Sequence, residues 1–413
     1  MSGKPHIFVV SLYGKGHYIA SLLSQEGCSV SLLNLQNPQP NQCLNIENLV
    51  GPFDFFEDTS DSLQKDFLNS FINFQNTSSG FTIWPKSGPI DFQSFIKNYA
   101  LDSCGLNEEN IEYLSNVNLL SFEEKNHLKK NLNHLDHSEN WLSKLSHQLS
   151  ASLFKLQDYN LEETITEAMP LFNKKKIAIC SHNNLQNSLD WCVSNNVNVI
   201  NIDKDLSITK NKNSIQSISY TNAETKQKES IAADKVVWTL NSQETKNIFP
   251  KIFPLLYKKA LTPLWQWQKI TTYIDEEYIP EFSNQSFLMI NDKRLSFYGD
   301  NLCIVKKTSL SNIWNLWMCL PQQIPSEKII KDSILNFFKD RIPKLKIKKI
   351  DVPKNSNTPL FPVFDNFNNL YTKTINNFYF CNFEACSNLD WPSFLNFQKN
   401  INNKIQKQIN GSQ

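Results

Sequence analysis

The chain has 413 residues, of which 40% are hydrophobic and 12% aromatic, with 41 basic against 40 acidic side chains and a net charge of +1. Its length corresponds to two or three domains of about 150 residues, or to one large discontinuous domain. Twenty-eight Phe, twelve Tyr and nine Trp exclude disorder, collagen and coiled coil as global descriptions. The even charge balance gives no electrostatic reason to expect nucleic acid or an anionic membrane as partner.

No apolar run approaches the roughly 18 residues of a membrane span. Met1–Pro5 leads straight into a strand-like Ile7–Val10. That leaves no room for a signal peptide, so a soluble, cytoplasmic protein is expected. Nine scattered cysteines without a Cys-x-x-Cys pair argue against a disulfide framework or a zinc ribbon. Only two of the 41 basic residues are arginine, Arg294 and Arg341. Glycine is scarce. There are ten, none between Gly105 and Gly299, whereas a nucleotide-binding enzyme needs glycine wherever backbone must approach phosphate.

In chain order, Ile7–Val10 reads as a strand buried on both faces. A turn with Gly14 and Gly16 follows, then a helix carrying Ile19, Ala20, Leu22 and Leu23 and closed by Gly27 at its C-terminus. Cys28–Leu35 is the second strand, and Pro38 and Pro40 end regular structure. From about 107 to 172 the pattern is helical. It includes a capping-box signature at Ser121 and Glu124 and a stripe of Leu128, Leu132, Leu135, Leu142, Leu145 and Leu149. Lys176–Cys180 is strand-like, Leu185, Leu189 and Val193 mark a short helix, and Val197–Ile202 is a strand. Hairpin strands carry Ile208, Ile215, Ile218 and Tyr220, and Ala233–Leu240 is a further strand. Residues 250–355 form a strand-rich layer with a helix at Ile329–Phe338. Strand Phe378–Cys381 and a helix from about Pro392 to Lys407 close the chain.

Three of these stretches resemble the flavin-dependent amine oxidase and phytoene desaturase superfamily. They are the N-terminal β-α-β unit, residues 176–242, where helix, strand, hairpin and an Ala-Asp-x-Val-Val strand follow in order, and the strand-to-helix passage at 374–405. The resemblance implies an α/β fold: a discontinuous FAD/NAD(P)-binding-like Rossmann domain with an inserted second domain of mixed helix and β-sheet. The first would comprise 1–89, 176–249 and 356–413, and the second 90–175 and 250–355.

The residues that should hold FAD depart from the family pattern. A dinucleotide fold places Gly-x-Gly-x-x-Gly after its first strand, for a tight turn, for close approach of the pyrophosphate and for helix–strand packing. One register puts these positions at Ser11, Tyr13 and Gly16; the other uses Gly14, Gly16 and Ile19. The first is preferred, because Ser11 directly follows the strand and Asn34 then lies about 20 residues on, where the family has a ribose-binding carboxylate. Only the packing glycine survives in that register. Asn382 and Phe383 stand where the superfamily has Gly-Asp, with Glu384 one position late. Asn37–Pro40 and Ser181–Asn184 replace two further glycine motifs.

Other candidates have plainer readings. His127, His134 and His137 flank the leucine stripe without a complete ligand set, so no metal site is expected. His182 reads as a residue of the helix-cap region. Cys381 and Cys386 lie near where some relatives attach flavin, but they read as buried structural thiols. The Trp pairs 265/267 and 314/317 suit packing on a sheet face, and Lys344–Lys349 suits an edge strand defended by lysines. Gly14-Lys-Gly16 lacks the Lys-Ser/Thr ending of a P-loop; a methyltransferase-type turn there would leave 176–242 and 374–405 unexplained. The expectation is a non-catalytic binding protein, with a protein partner or a small apolar ligand. No cofactor is expected, FAD being the cofactor if there is one. Rab GDP-dissociation inhibitors are a precedent for a similar fold used without flavin chemistry. The alternative is a divergent FAD-dependent oxidoreductase acting on an amine or an unsaturated apolar substrate by hydride transfer. No catalytic residue emerges.

Overall fold

The computed structural model describes residues 4–35, 61–77, 82–84, 90–91, 177–183, 185–261, 263–275, 277, 287–290, 294–295, 303–307, 310–321, 325–352, 363–364, 370–371, 375–386 and 391–411. Strand β1 (His6–Ser11) buries Ile7 and Val9 on one face and Phe8 and Val10 on the other. This is the period-two consequence of a continuous apolar run. Helix α1 (His17–Gln25) ends at Gly27, whose φ of +88° suits glycine. The Gly27 and Cys28 amides donate to the Ser24 and Leu23 carbonyls, closing a Schellman motif. Strand β2 (Ser29–Leu35) returns parallel to β1, with Ser11 opposite Asn34.

Helix α2 (Ser62–Phe71) runs directly into β3 (Ile72–Thr77), and β4 (Thr82–Trp84) and β5 (Ile90–Asp91) follow. Next come β6 (Ile177–Asn183), α3 (Leu185–Ser194), the long β7 (Asn198–Asn211), β8 (Ser214–Asn222), β9 (Lys228–Ala232) and β10 (Lys235–Trp238). Short helices α4 (Ser242–Ile248) and α5 (Phe253–Leu256) lead to β11 (Pro263–Ile274), β12 (Phe287–Ile290), β13 (Cys303–Lys307) and β14 (Ile313–Pro321). Helix α6 (Glu327–Arg341), β15 (Ile347–Asp351), β16 (Val363–Phe364), β17 (Phe378–Phe380) and α7 (Trp391–Asn410) complete the order.

The first sheet has the order β17-β10-β1-β2-β7-β8-β9. Its first five strands are parallel, and β8 and β9 form an antiparallel meander on β7. Neighbours in this sheet come from separated parts of the chain, so the Rossmann unit is discontinuous. Helices α1, α3 and α7 cover the face that carries Ile7, Val9, Val30, Leu32 and Val237, burying Ile19, Leu23, Cys192, Ile401 and Ile405. The opposite face buries Phe8, Val10, Leu33, Trp238 and the meander's Ile218 and Tyr220 against Phe249, Leu256 and Tyr257.

The second sheet, β15-β11-β14-β13-β12-β4-β5, with β16 also on β11, is antiparallel except at β12–β4. It packs Ile270, Trp314, Leu316 and Met318 against Ile330, Ile334, Phe337 and Phe338 of α6. The protein is therefore α/β, with a discontinuous Rossmann unit and a second, largely antiparallel sheet.

Several local expectations change. The strand expected to stop at Cys180 runs to Asn183 and pairs with β3 in a separate two-stranded sheet. His182 is thus a strand residue opposite Asn73, because the ladder with β3 carries extended backbone almost to the helix. Helix α6 is longer than Ile329–Phe338 because Ser326 caps it, its hydroxyl accepting from the Ile329 amide at 3.4 Å. Trp314 and Trp317 are buried, Trp314 against Phe338. Trp265 and Trp267 lie on β11, opposite Pro321 and Cys319. Lys344–Lys349 leads into β15, the outermost strand of its sheet, whose pairing with β11 is interrupted by a register shift. Both features discourage edge-to-edge association. His127, His134, His137 and the Ser121 capping box lie outside the described residues, as does Asn37–Pro40.

Candidate functional site: the crevice at the carboxyl ends of the parallel strands

In an open parallel sheet, ligands bind beyond the carboxyl ends of the strands where the strand order reverses. Here that place lies beyond β1 and β10, and the segments 11–17, 239–245 and 381–386 converge on it.

The turn after β1 is tight. Tyr13 and Gly14 both have positive φ, +57° and +78°, so a tyrosine occupies a left-handed position that disfavours L side chains. The amides of the turn are used within the protein. Lys15 N–H donates to the Leu12 carbonyl at 3.3 Å and His17 N–H to the Gly14 carbonyl at 3.1 Å. Gly16 N–H donates to Ser11 Oγ at 3.0 Å, and Ile19 N–H to Oε1 of the buried Gln398 at 2.9 Å. Gln398 Nε2 reaches back to the Lys15 carbonyl at 2.8 Å, tying α7 to the turn.

The two glycines of the turn do different work. A β-carbon on Gly16 would lie 2.8 Å from Val9 Cγ1 and 2.9 Å from Ser11 Cβ, so Gly16 is where the helix rests on the strand. A β-carbon on Gly14 would meet Phe71 Cε2 at 2.6 Å and Leu185 Cδ2 at 3.2 Å. The outer surface of the turn is thus covered by apolar side chains from α2 and α3.

Lys15 is fully buried. Its ammonium lies 2.7 and 2.6 Å from the two carboxylate oxygens of Glu244, which is itself 6% exposed. Glu244 Oε2 also accepts the Asn241 amide at 2.7 Å, closing the first turn of α4. Tyr13 stands beside this pair: burial, and then the Glu244 charge, push its phenol well above its ordinary pKa.

A second polar cluster adjoins the first. Glu384, also buried, accepts from Ser242 N–H at 2.8 Å and from Ser242 Oγ at 2.6 Å, and Leu261 N–H donates to that hydroxyl at 2.9 Å. Asn382 Nδ2 donates to the Leu240 carbonyl and to Tyr257 Oη, both at 2.9 Å. Tyr257 Oη donates to the same carbonyl at 2.7 Å. The Tyr257 phenol is held far above its usual range by burial and by the Glu384 charge. Phe383 is buried and stacks on Phe394 at 4.1 Å between centroids.

Asn34 is 2.9 Å from Asn201 Oδ1, to which its amide donates. His17 Nδ1 lies 2.7 Å from Ser188 Oγ, superficially a base and a nucleophile. The Ser188 hydroxyl, however, is given to the Leu185 carbonyl at 2.9 Å. The imidazole is 1% exposed, and burial, opposed by the neighbouring Asn34, drives its pKa down to about 3. Such a ring is neutral at physiological pH and too weak a base to activate a hydroxyl. Burial pushes the Cys192 thiol up to about 12 and raises Cys303 and Cys381 likewise, so these are poor nucleophiles. Among the described residues no group of three metal-ligating side chains occurs.

Of the residues singled out from sequence, Ser11, Tyr13, Gly14 and Gly16 share the turn, and Asn382 and Glu384 join the adjoining polar clusters. Phe383 belongs to an aromatic stack, and Asn34 lies at the end of β2. Lys15, Glu244, Ser242, Tyr257 and Gln398 were not foreseen. The Asn241-x-x-Glu244 spacing was the one legible signal among them.

No protein-family model matches the chain, and no curated protein matches it. Solved structures do. An oxidoreductase from Methanosarcina mazei aligns over 96% of this chain and 99% of its own, with TM-score 0.56 and 13% identity. The PF1083 protein of Pyrococcus furiosus aligns over 95% of each chain, with TM-score 0.55 and 9% identity. Rab GDI from Plasmodium falciparum aligns over 99% of each chain, with TM-score 0.52 and 12% identity. At such identities the likeness is one of fold: this chain has the architecture of these proteins along nearly its whole length.

Proposed function

We propose that this chain uses a flavoprotein-type fold as a non-catalytic binding protein, for a protein partner or a small apolar ligand, and that it carries no FAD. The observation that supports this most directly is the buried Lys15–Glu244 pair at the turn after β1. A dinucleotide needs free amides at the helix start and an open surface for its pyrophosphate. At this turn the amides of Lys15, Gly16, His17 and Ile19 serve internal acceptors, and Phe71 and Leu185 lie over Gly14. These residues do not fit the cofactor. We read Ser11, Tyr13 and Gly16 as the remnant of its fingerprint, the close contact of Gly16 with β1 being what the packing glycine of that motif requires. Asn34, Asn382, Phe383 and Glu384 are read as positions that have lost their cofactor contacts and taken up structural ones.

The test is colour. Protein purified under mild conditions is expected to show no flavin absorption band, and to keep its melting temperature unchanged when FAD is added at micromolar concentration. A visible flavin spectrum, with stoichiometric FAD released on denaturation, would overturn this reading in favour of an FAD-dependent oxidoreductase of amine oxidase type. The Methanosarcina mazei protein is named only as an oxidoreductase.

A further inference from the structure

Lys15 is fully buried at a phosphate-type turn. Charged side chains are almost never buried without a partner, and removing one member of a buried pair costs more than the pair contributes. Lys15 and Glu244 are 229 positions apart in sequence, and both carboxylate oxygens lie within hydrogen-bonding distance of the ammonium. Glu244 also closes the start of α4 through the Asn241 amide, and Lys15 is held from the other side by Gln398 through its carbonyl. The anion at this turn thus belongs to the protein.

We propose that the Glu244 carboxylate, neutralised by Lys15, stands in place of a dinucleotide pyrophosphate. The pair acts as a built-in ligand that closes the crevice by joining the turn after β1 to α4. This rests on the cofactor-free reading and adds a specific chemistry to it. With Glu244 present, an incoming phosphate meets a turn whose positive charge is already matched. With the carboxylate removed, the turn holds a buried ammonium beside a cavity and becomes a site for an oxyanion.

Chemical rescue tests this on the full chain. Glu244→Ala is expected to melt well below the parent. Inorganic pyrophosphate, but not chloride at equal ionic strength, is expected to recover several degrees of that loss. Neither the parent nor Lys15→Met/Glu244→Ala is expected to respond. Rescue by acetate but not by pyrophosphate would mean that Glu244 fills only a carboxylate-sized structural niche, and would overturn the proposal. So would the absence of any rescue in folded Glu244→Ala, or stabilisation of the parent by pyrophosphate. Should Glu244→Ala be insoluble, Lys15→Met is compared with Lys15→Met/Glu244→Gln. Neutralising the orphaned carboxylate must then restore melting temperature, and failure to do so overturns the pairing itself. None of these outcomes depends on flavin colour, so a colourless protein that is not rescued leaves the cofactor-free reading standing.

Discussion

The ring of Phe71, at the end of α2, lies so close to Gly14 that a β-carbon at position 14 would fall 2.6 Å from Cε2 and 2.9 Å from Cζ. Helix α2 therefore docks on the turn after β1 because that turn carries no side chain there. Behind this contact Phe67 stacks on Phe71 and packs against Tyr18 and Trp191. Lys399 of α7 forms an ion pair with Asp61, just before the helix.

Gly14→Ala is expected to lose about 2–4 kcal/mol, because the new methyl meets Phe71 and the backbone sits at a left-handed φ. Combining it with Phe71→Leu should cost less than the two single changes together. Urea denaturation of the four proteins measures this; strict additivity would contradict the contact.

Gly16 and Gly27 should respond to alanine for different reasons. Gly16 is blocked by Val9 and Ser11 but has no positive φ, whereas Gly27 has a φ of +88° and open space around it. Gly16→Ala is expected to cost about 1–3 kcal/mol from overpacking, and Gly27→Ala about 1–2 kcal/mol from backbone strain alone. Gly27→Asn should recover part of the latter, since Asn tolerates this conformation. Equilibrium unfolding in urea distinguishes the two cases.

His17 makes the fold sensitive to acid. Its folded pKa of about 3 lies below the 6.5 of an unperturbed histidine, so between these values the unfolded chain binds more protons. The contribution is complete above pH 6.5 and is lost as pH falls toward 3, with a limiting slope of about 1.4 kcal/mol per pH unit. Unfolding free energies measured from pH 7 to pH 4 should fall less steeply in His17→Gln than in the parent. Parallel curves would show that His17 is not buried in its neutral form.

Phe383→Asp should destabilise the fold without creating a cofactor contact. The carboxylate would replace a ring stacked on Phe394, beside the existing charge of Glu384. The expected loss is more than about 3 kcal/mol, visible as a lowered melting temperature and reduced soluble yield. Phe383→Leu should be much milder.

A fragment of residues 1–90 is expected to show no cooperative thermal transition. Strand β1 is flanked by β2 and by β10, and β2 continues to β7, so two of these four strands come from beyond residue 190. Without them, and without α3, α7 and the Phe249–Tyr257 segment, the apolar faces of Ile7–Val10 lose most of their cover.

Much of the Rossmann unit was legible because its signals are local. The apolar run at Ile7–Val10, the Gly27 stop and the Val236–Trp238 stretch each follow from side-chain periodicity or from a conformation that glycine favours. Tyr13 stands out in the sequence because a phosphate turn restricts residue type position by position. The ion pair and hydrogen bonds that hold the turn after β1 were not legible. Lys15 is an unremarkable lysine between two glycines until the fold brings Glu244 to it, and Gln398 has no local reason to seek the Ile19 amide. The β3–β6 pairing likewise joins residues 100 or more positions apart. Periodicity reports which face of an element is buried, whereas a buried ion pair depends on which two elements share that burial, and only the tertiary packing of β1, α4 and α7 decides it.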